Sequence, residues 1–99
     1  MIKRIVKMTF RPDSWADFLD IFEKSCERIR ASEGCHHLEL VQDVNSPEIF
    51  FTLSIWEDEE SLNGYRNSEL FAATWEKTKA LFGDKPRAWS TNVVRVADT

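Results

Sequence analysis

The chain has 99 residues, of which 13 are basic and 17 are acidic, and its formal net charge is -4. A chain of this length forms one domain with a small core, so we expect a single domain over residues 1–99 with its core at about 2–96. The acidic balance argues against nucleic acid or an anionic membrane as a partner, because both carry negative charge.

The first predicted strand runs from Ile2 to Phe10, where Arg4 interrupts the apolar even positions. Lys3, Arg4 and Lys7 also break the continuous apolar core of a signal peptide, and no later stretch is long enough to span a bilayer. With only two cysteines, we expect a cytoplasmic protein with reduced thiols. Arg4 either binds a carboxylate or an anion in the core, or extends to water near the strand end.

A first helix is predicted after Pro12, with Ser14 as its N-cap and Asp17 three residues later as in a capping box. Gly34 is expected to end this helix, because glycine adopts the left-handed backbone cheaply. The apolar stripe of the helix faces the core, so its cysteine is expected to be buried and inert. The stripe is formed by Trp15, Phe18, Phe22, Cys26 and Ile29.

The segment EGCHHLEL opens the second strand, predicted over residues 35–44, and brings together Cys35, His36 and His37. Adjacent strand residues point to opposite faces, so the two histidines cannot bind one ion together. Cys35, His37 and Glu39 share a face, but the sequence has no second cluster with metal spacing. We therefore predict no metal site. His36 lies on the apolar face and is a candidate to enter a pocket between sheet and helices.

The third strand, IFFTLSIW from Ile49 to Trp56, is apolar at every odd position and aromatic at two even positions, so both of its faces need cover. Asp58 is predicted to cap a short helix, and Ser68 to cap a longer helix that Gly83 closes. The last strand is predicted from Arg87 to Val96.

Polar groups on otherwise apolar faces are the candidate site residues of the C-terminal half. Tyr65 and Trp75 carry an O–H and an N–H that need acceptors when buried, whereas Phe71 is interpreted as core. On the last strand, Ser90 and Asn92 either line a cavity or lie at a dimer edge.

The element order β-α-β-β-α-β predicts an α+β, ferredoxin-like protomer, an antiparallel sheet with helices on one face. Two helices cover only one side of such a sheet, and exposed aromatic area typically marks an interface. We therefore predict a homodimer joined through the open sheet faces. By the same alternation, the open face is expected to bear Phe50, Trp56, Trp89 and Val93.

The sequence over roughly residues 2–92 resembles the antibiotic biosynthesis monooxygenase family, whose members are dimeric α/β barrels with ferredoxin-like protomers. The resemblance is carried by EGCHHLEL, the turn at Pro47, the strand ending in Trp56 and the segment WEDEESLNGYRNSELFAATW. It implies cofactor-free oxygenation of phenolic or quinol-type substrates in some members and haem degradation in others.

The resemblance also allows the haem-degrading branch to be compared by residue. Trp75 stands where that branch has its haem-ligating histidine, Val6 where it has an asparagine, and Tyr65 where it has a tryptophan. Loss of the axial ligand removes the main haem anchor. Haem degradation is therefore not expected, and no cofactor is predicted.

For a cofactor-free oxygenase, the resemblance implies a dry aromatic cavity in which the substrate anion reduces O2 near hydrogen-bond donors. The expected catalytic residues are Tyr65, Trp75, Arg4 and Asn92 as donors and His36 as base, and the expected substrate-binding residues are Val6, Phe71 and Trp56. The alternative is a non-catalytic, small-molecule-binding or stress-related dimer, because one fold hosts both functions.

Overall fold

A computed structural model describes residues 1–98. The elements in chain order are β1 (Ile2–Thr9), α1 (Trp15–Arg30), β2 (Cys35–Gln42), β3 (Ile49–Trp56), α2 (Glu59–Arg66), α3 (Glu69–Lys79) and β4 (Arg87–Asn92). The four strands form one antiparallel sheet in the order β2-β3-β1-β4. The predicted α+β, ferredoxin-like protomer is confirmed, with its second helix divided into α2 and α3.

The bounds of β3 agree with the sequence prediction, but β2 and β4 are shorter than expected. β4 pairs only with β1, whose first paired residue, Ile2, lies opposite Asn92. Beyond that point residues 1–98 offer β4 no further partner strand, so the predicted continuation to Val96 is wrong. β2 ends two residues early because Asp43 begins the turn to β3, where its carboxylate accepts hydrogen bonds from two backbone N–H groups.

Two of the three predicted N-caps make the expected hydrogen bond. Asp58 and Ser68 each accept a hydrogen bond from the backbone N–H three residues later. Ser14 is the N-cap of α1, but its hydroxyl donates to Asp13 Oδ1 at 3.1 Å instead. The backbone of Ser14 is helical (φ -119°, ψ -14°) rather than extended, so the capping box predicted with Asp17 does not form.

Neither glycine that was expected to close a helix does so. α1 ends with Ala31 as its C-cap, and α3 ends with Ala80, both in right-handed helical conformation. Gly34 lies three residues beyond the cap, in the turn that leads into β2, where its φ is +80°. Gly83 instead follows the turn after α3, where its N–H donates to the carbonyl of Thr9.

Replacing Gly34 with alanine is expected to lower the free energy of unfolding by at least about 1–2 kcal/mol. The positive φ disfavours any L side chain, and the new Cβ would overlap the side chain of Ser61. Gly64 is the matched control, because it lies within α2 and its new Cβ would meet nothing within 4 Å. Gly64→Ala should raise stability by about 0.5–1 kcal/mol. Urea denaturation of both variants measures the difference, and equal effects would contradict the backbone described at Gly34.

The core lies on the side of the sheet that the helices cover, in two clusters. The first contains the buried Met8, Phe10, Phe18 and Phe50. The second contains Cys35, Trp56 and Leu62, with Ile2 and Tyr65 packed against it. A cavity borders both clusters, so the packing that stabilises the protein also shapes the site.

The assignment of Phe50 and Trp56 to the open sheet face is wrong. Both are 1% exposed on the helix-covered side. Trp56 pairs with Ile2 and Phe50 pairs with Met8, and these two residues of β1 face inward. The odd positions of β3 face the open side instead. Trp89, which was also assigned there, is 39% exposed.

The inward stripe of α1 also differs from the predicted one at a single position. Phe18 and Ile29 are buried as expected, but Ser25 is buried in place of Cys26, which is only half-buried. Ser25 tolerates burial because its hydroxyl donates to the carbonyl of Ile21 at 2.9 Å. Cys26 borders a groove between α1 and β2, so the expectation of a fully buried thiol is wrong.

Candidate functional site

A cavity of about 340 Å³ lies between the sheet and the helices. Small-molecule pockets have volumes of about 300–1,000 Å³, so this one is at the lower end and suits a small aromatic compound. Its lining is mainly apolar and aromatic, with a few hydroxyl groups and three arginines. Six of the predicted site residues line it, namely Arg4, Val6, Trp56, Tyr65, Phe71 and Trp75.

Four aromatic side chains form one continuous wall of the cavity. Trp56 stacks on Tyr65 with 5.1 Å between ring centroids, and Tyr65 meets the edge of Phe71 at 5.3 Å. Phe71 stacks on Trp75 at 5.9 Å, since the two lie one helical turn apart on α3. We call these four residues the aromatic wall.

Ser68 joins the two helices that carry the aromatic wall. Its hydroxyl donates to the carbonyl of Tyr65 at 2.6 Å and accepts from the N–H of Phe71 at 3.1 Å. The same side chain therefore ends α2 and begins α3. This double hydrogen bond holds Tyr65 and Phe71 edge to face.

Tyr65 is the neutral hydrogen-bond donor of the cavity. Burial raises the pKa of Tyr65 to about 12, and the nearby Cys35 thiol contributes in the same direction. The phenol therefore stays protonated at neutral pH. Asn67 and Ser68 donate hydrogen bonds to its backbone carbonyl, and its side chain lines the cavity, where the hydroxyl can meet a ligand.

Arg4 lies on the helix-covered face of β1, and its partner is a hydroxyl group rather than a carboxylate. Its Nη1 donates to Ser90 Oγ at 2.9 Å across the β1–β4 pair. Burial and the positive charge of Arg66 lower the pKa of the Arg4 guanidinium. Arg66 also lines the cavity, so two guanidinium groups border the same space.

The indole of Trp56 does not offer a free donor. Its Nε1 donates to Ser54 Oγ at 2.9 Å within the core. Thr78, which also lines the cavity, donates to the carbonyl of Thr74 at 2.8 Å. Trp56 therefore contributes a ring face to the site, and its role as a substrate contact stays a prediction.

His36 does not reach the cavity, and the expectation that it enters a pocket beneath the helices is wrong. A β-bulge between Cys35 and His37 shifts the register of β2 against β3. Cys35 turns inward and is 6% exposed, whereas His36 lies at the surface with its Nε2 against Glu57 Oε2.

The bulge also separates the three side chains that were expected to share one face. His37 pairs with Glu39 at 3.2 Å on the exposed side, while Cys35 is buried with Trp56. Within residues 1–98, no three His, Cys, Asp or Glu side chains are grouped to hold a metal ion. No helix in that part of the chain is both long enough and apolar enough to cross a membrane.

Asn92 also lies outside the cavity lining, at the end of β4 opposite Ile2, where it is exposed. The residue that sequence reasoning missed is Arg66. A basic residue in the last turn of a helix is ordinarily explained by the helix dipole. The sequence signal that could have indicated Arg66 as a site residue was its position next to Tyr65. Only the fold brings Arg66 near Arg4.

Comparison with known proteins gives a family and a set of similar folds. The model of the antibiotic biosynthesis monooxygenase family matches residues 1–77. No curated protein matches the chain.

Three solved structures illustrate the similarity of fold. A crystal structure of an antibiotic biosynthesis monooxygenase superposes with a TM-score of 0.90 at 20% identity, covering 96% of this chain and 100% of the other. A conserved protein from Methanosarcina mazei Go1 gives 0.87 at 22% identity, covering 91% and 89%. A protein from Mycobacterium tuberculosis gives 0.89 at 14% identity, covering 98% of each chain. At these identities the structures establish the fold, and the family match over residues 1–77 shows that the chain belongs to the antibiotic biosynthesis monooxygenase family.

Proposed function

We propose that the protein is a cofactor-independent monooxygenase that acts on a small phenol, quinol or anthrone-type compound. The observation that carries the proposal is the cavity itself, in which the aromatic wall, with its neutral phenol donor Tyr65, lies close to two guanidinium groups. Membership of the family supports the same reaction class.

In the proposed reaction the substrate supplies all of the electrons. Its anion transfers one electron to O2, the resulting radicals combine to form a carbon–oxygen bond, and the peroxide loses water to leave a carbonyl group. One oxygen atom remains in the product and the other leaves as water. The protein contributes orientation, exclusion of water and stabilisation of the negative charge.

The cavity residues have separate roles in this scheme. Trp56 and Phe71 hold the substrate ring by stacking, and Val6 contacts it from the sheet. Tyr65 donates a hydrogen bond to the oxyanion, and Arg4 stabilises the anionic charge. Trp75 closes the wall beside Phe71.

Oxygen uptake measures the proposed activity directly. Uptake with a panel of quinols and anthrones should exceed the protein-free rate and should be lost when the cavity is blocked by a non-oxidisable aromatic analogue. Rates equal to the protein-free control across the panel would contradict the proposal.

The second candidate function is binding of a small aromatic compound without chemistry. In the described residues, the cavity lining contains no carboxylate and no histidine, the usual side-chain bases. A thermal-shift screen separates the two functions. A compound that raises Tm and is recovered unchanged under oxygen supports binding, whereas its oxidation supports the monooxygenase.

We also propose that the protein forms a homodimer through the open sheet faces, as the dimeric barrel requires. Ile5 lies between Leu53 and Trp89 in the register of three neighbouring strands, and the three side chains form an apolar row on this face. Exposed apolar rows of this kind are usually covered by a partner.

Leu53→Arg is expected to convert the dimer to a monomer at micromolar concentration, because it places a charge within the apolar row. Leu19→Arg is the matched control, since Leu19 is 39% exposed but lies on α1. Sedimentation velocity measures the oligomeric state, and circular dichroism verifies folding. A monomeric wild-type protein, or a dimer unaffected by Leu53→Arg, would rule out this interface.

A further inference from the structure

Every formally charged side chain that lines the cavity is positive. Within residues 1–98, β1 contributes Arg4 and α2 contributes Arg66, while α1, β2, β3 and α3 contribute only uncharged side chains. Arg87 of β4 also borders the cavity, but it pairs with Lys7 and its side chain packs over Trp89 on the open sheet face. Tyr65 is the remaining titratable group of the lining within residues 1–98, and Cys35 is packed with it behind Trp56. The cavity therefore has a positive potential and no internal counter-charge.

The guanidinium groups of Arg4 and Arg66 are available to a ligand, whereas the Cζ of Arg87 lies 5.1 Å from the ring centroid of Trp89. Within the described residues, Arg4 has only the neutral hydroxyl of Ser90 as a side-chain partner, and Arg66 is near enough to oppose its charge. Among the described residues, the ion pairs formed by basic side chains lie elsewhere in the chain. An anion between Arg4 and Arg66 would relieve their repulsion.

We infer that the cavity binds its aromatic ligand as a preformed monoanion, a phenol or enol that is already ionised near neutral pH. Two guanidinium groups then replace a general base. The inference rests on the proposed function in placing the substrate in this cavity, and it narrows the substrates to acidic phenols and enols.

The size of electrostatic pKa shifts indicates which phenols would be ionised in the cavity at neutral pH. An unactivated phenol has a pKa of about 10, and a neighbouring opposite charge lowers a pKa by about 1–3 units. Burial acts in the opposite direction, as it does for Tyr65. An ordinary phenol therefore stays mostly protonated in the cavity at neutral pH, and without a side-chain base it would not react.

4-Nitrophenol is a suitable probe, because it ionises near neutral pH and only its phenolate absorbs visible light. Absorbance titration with and without protein measures the pKa of the bound probe directly. The bound pKa should lie about one unit below the free value, a tenfold preference for the anion. Arg4→Gln and Arg66→Gln should each reduce the shift.

Arg28→Gln is the matched control, since Arg28 is exposed on α1 and does not line the cavity. It should leave the shift unchanged. Failure of the probe to bind, a bound pKa equal to or above the free value, or a full shift in both Arg4→Gln and Arg66→Gln would overturn the inference. The titration of the wild-type protein shows whether the bound probe has a lowered pKa even if a variant does not fold.

The probe separates this inference from the proposed monooxygenase, because the titration requires no turnover. A lowered bound pKa without oxygen uptake by any acidic phenol supports the anion site and contradicts the monooxygenase. Oxygen uptake with an unshifted pKa of the bound probe supports the monooxygenase and contradicts the anion site.

Discussion

Replacing Phe50 with alanine should lower the free energy of unfolding by about 3–5 kcal/mol, the range for a buried aromatic residue. Phe50 is 1% exposed, and its ring centroid lies 5.9 Å from that of Phe10 and 5.5 Å from that of Phe18. Trp15 packs on a third side at 6.3 Å. Trp15 and Phe18 lie on α1, whereas Phe10 follows β1, so the backbones on the two sides of the ring cannot close together over the space it leaves.

The expected loss is a large fraction of the total stability of a small domain, about 5–15 kcal/mol. Since each kcal/mol changes Tm by about 4–8 °C in a domain of this size, Tm should fall by more than about 10 °C. Thermal and urea denaturation measure the effect.

Phe51→Ala provides the control, because the neighbouring residue lies on the opposite face of the same strand. At low protein concentration, Phe51→Ala should lower the free energy of unfolding by less than Phe50→Ala does. The effect of Phe51→Ala should grow with protein concentration, as expected for a side chain buried by a partner. Equal, concentration-independent losses at Phe50 and Phe51 would contradict the assignment of the two sheet faces.

Tyr65→Phe should reduce kcat for oxygen uptake by about 100-fold or more, the usual cost of removing one oxyanion donor. The substitution keeps the ring that stacks on Trp56 at 5.1 Å, so KM should change little. Ser32→Ala is a control for loss of a hydroxyl group, because Ser32 donates to the carbonyl of Arg28 away from the cavity. Steady-state oxygen electrode assays measure both variants. Unchanged kcat in Tyr65→Phe would exclude the proposed role.

The same residue has a consequence for stability at alkaline pH. Burial raises the pKa of folded Tyr65 to about 12 from an ordinary value of 10.0. The unfolded chain therefore ionises first, so the contribution of Tyr65 is complete below pH 10 and is lost as pH rises towards 12. Tyr65→Phe should flatten this part of the curve of unfolding free energy against pH. An identical decline in both proteins would mean that Tyr65 is not buried.

The sequence by itself determined the order of the elements, the bounds of β3 and the caps of α2 and α3. Each of these depends on short-range features. Alternation over eight residues makes a strand at Ile49–Trp56, and a side chain that caps its own next turn makes the N-termini at Asp58 and Ser68. The family resemblance also follows from segments read in order.

The tertiary structure decided which side of β3 the helices cover, where His36 points and which cation stands beside Arg4. Alternation shows that two faces differ, but register against β1 decides that Phe50 and Trp56 face inward. A single bulge in β2 turns Cys35 inward and His36 to the surface. Arg4 and Arg66 are 62 positions apart in the sequence, and only the packing of α2 over the sheet brings their charges together. These features depend on pairing and packing between distant segments, so no local pattern encodes them.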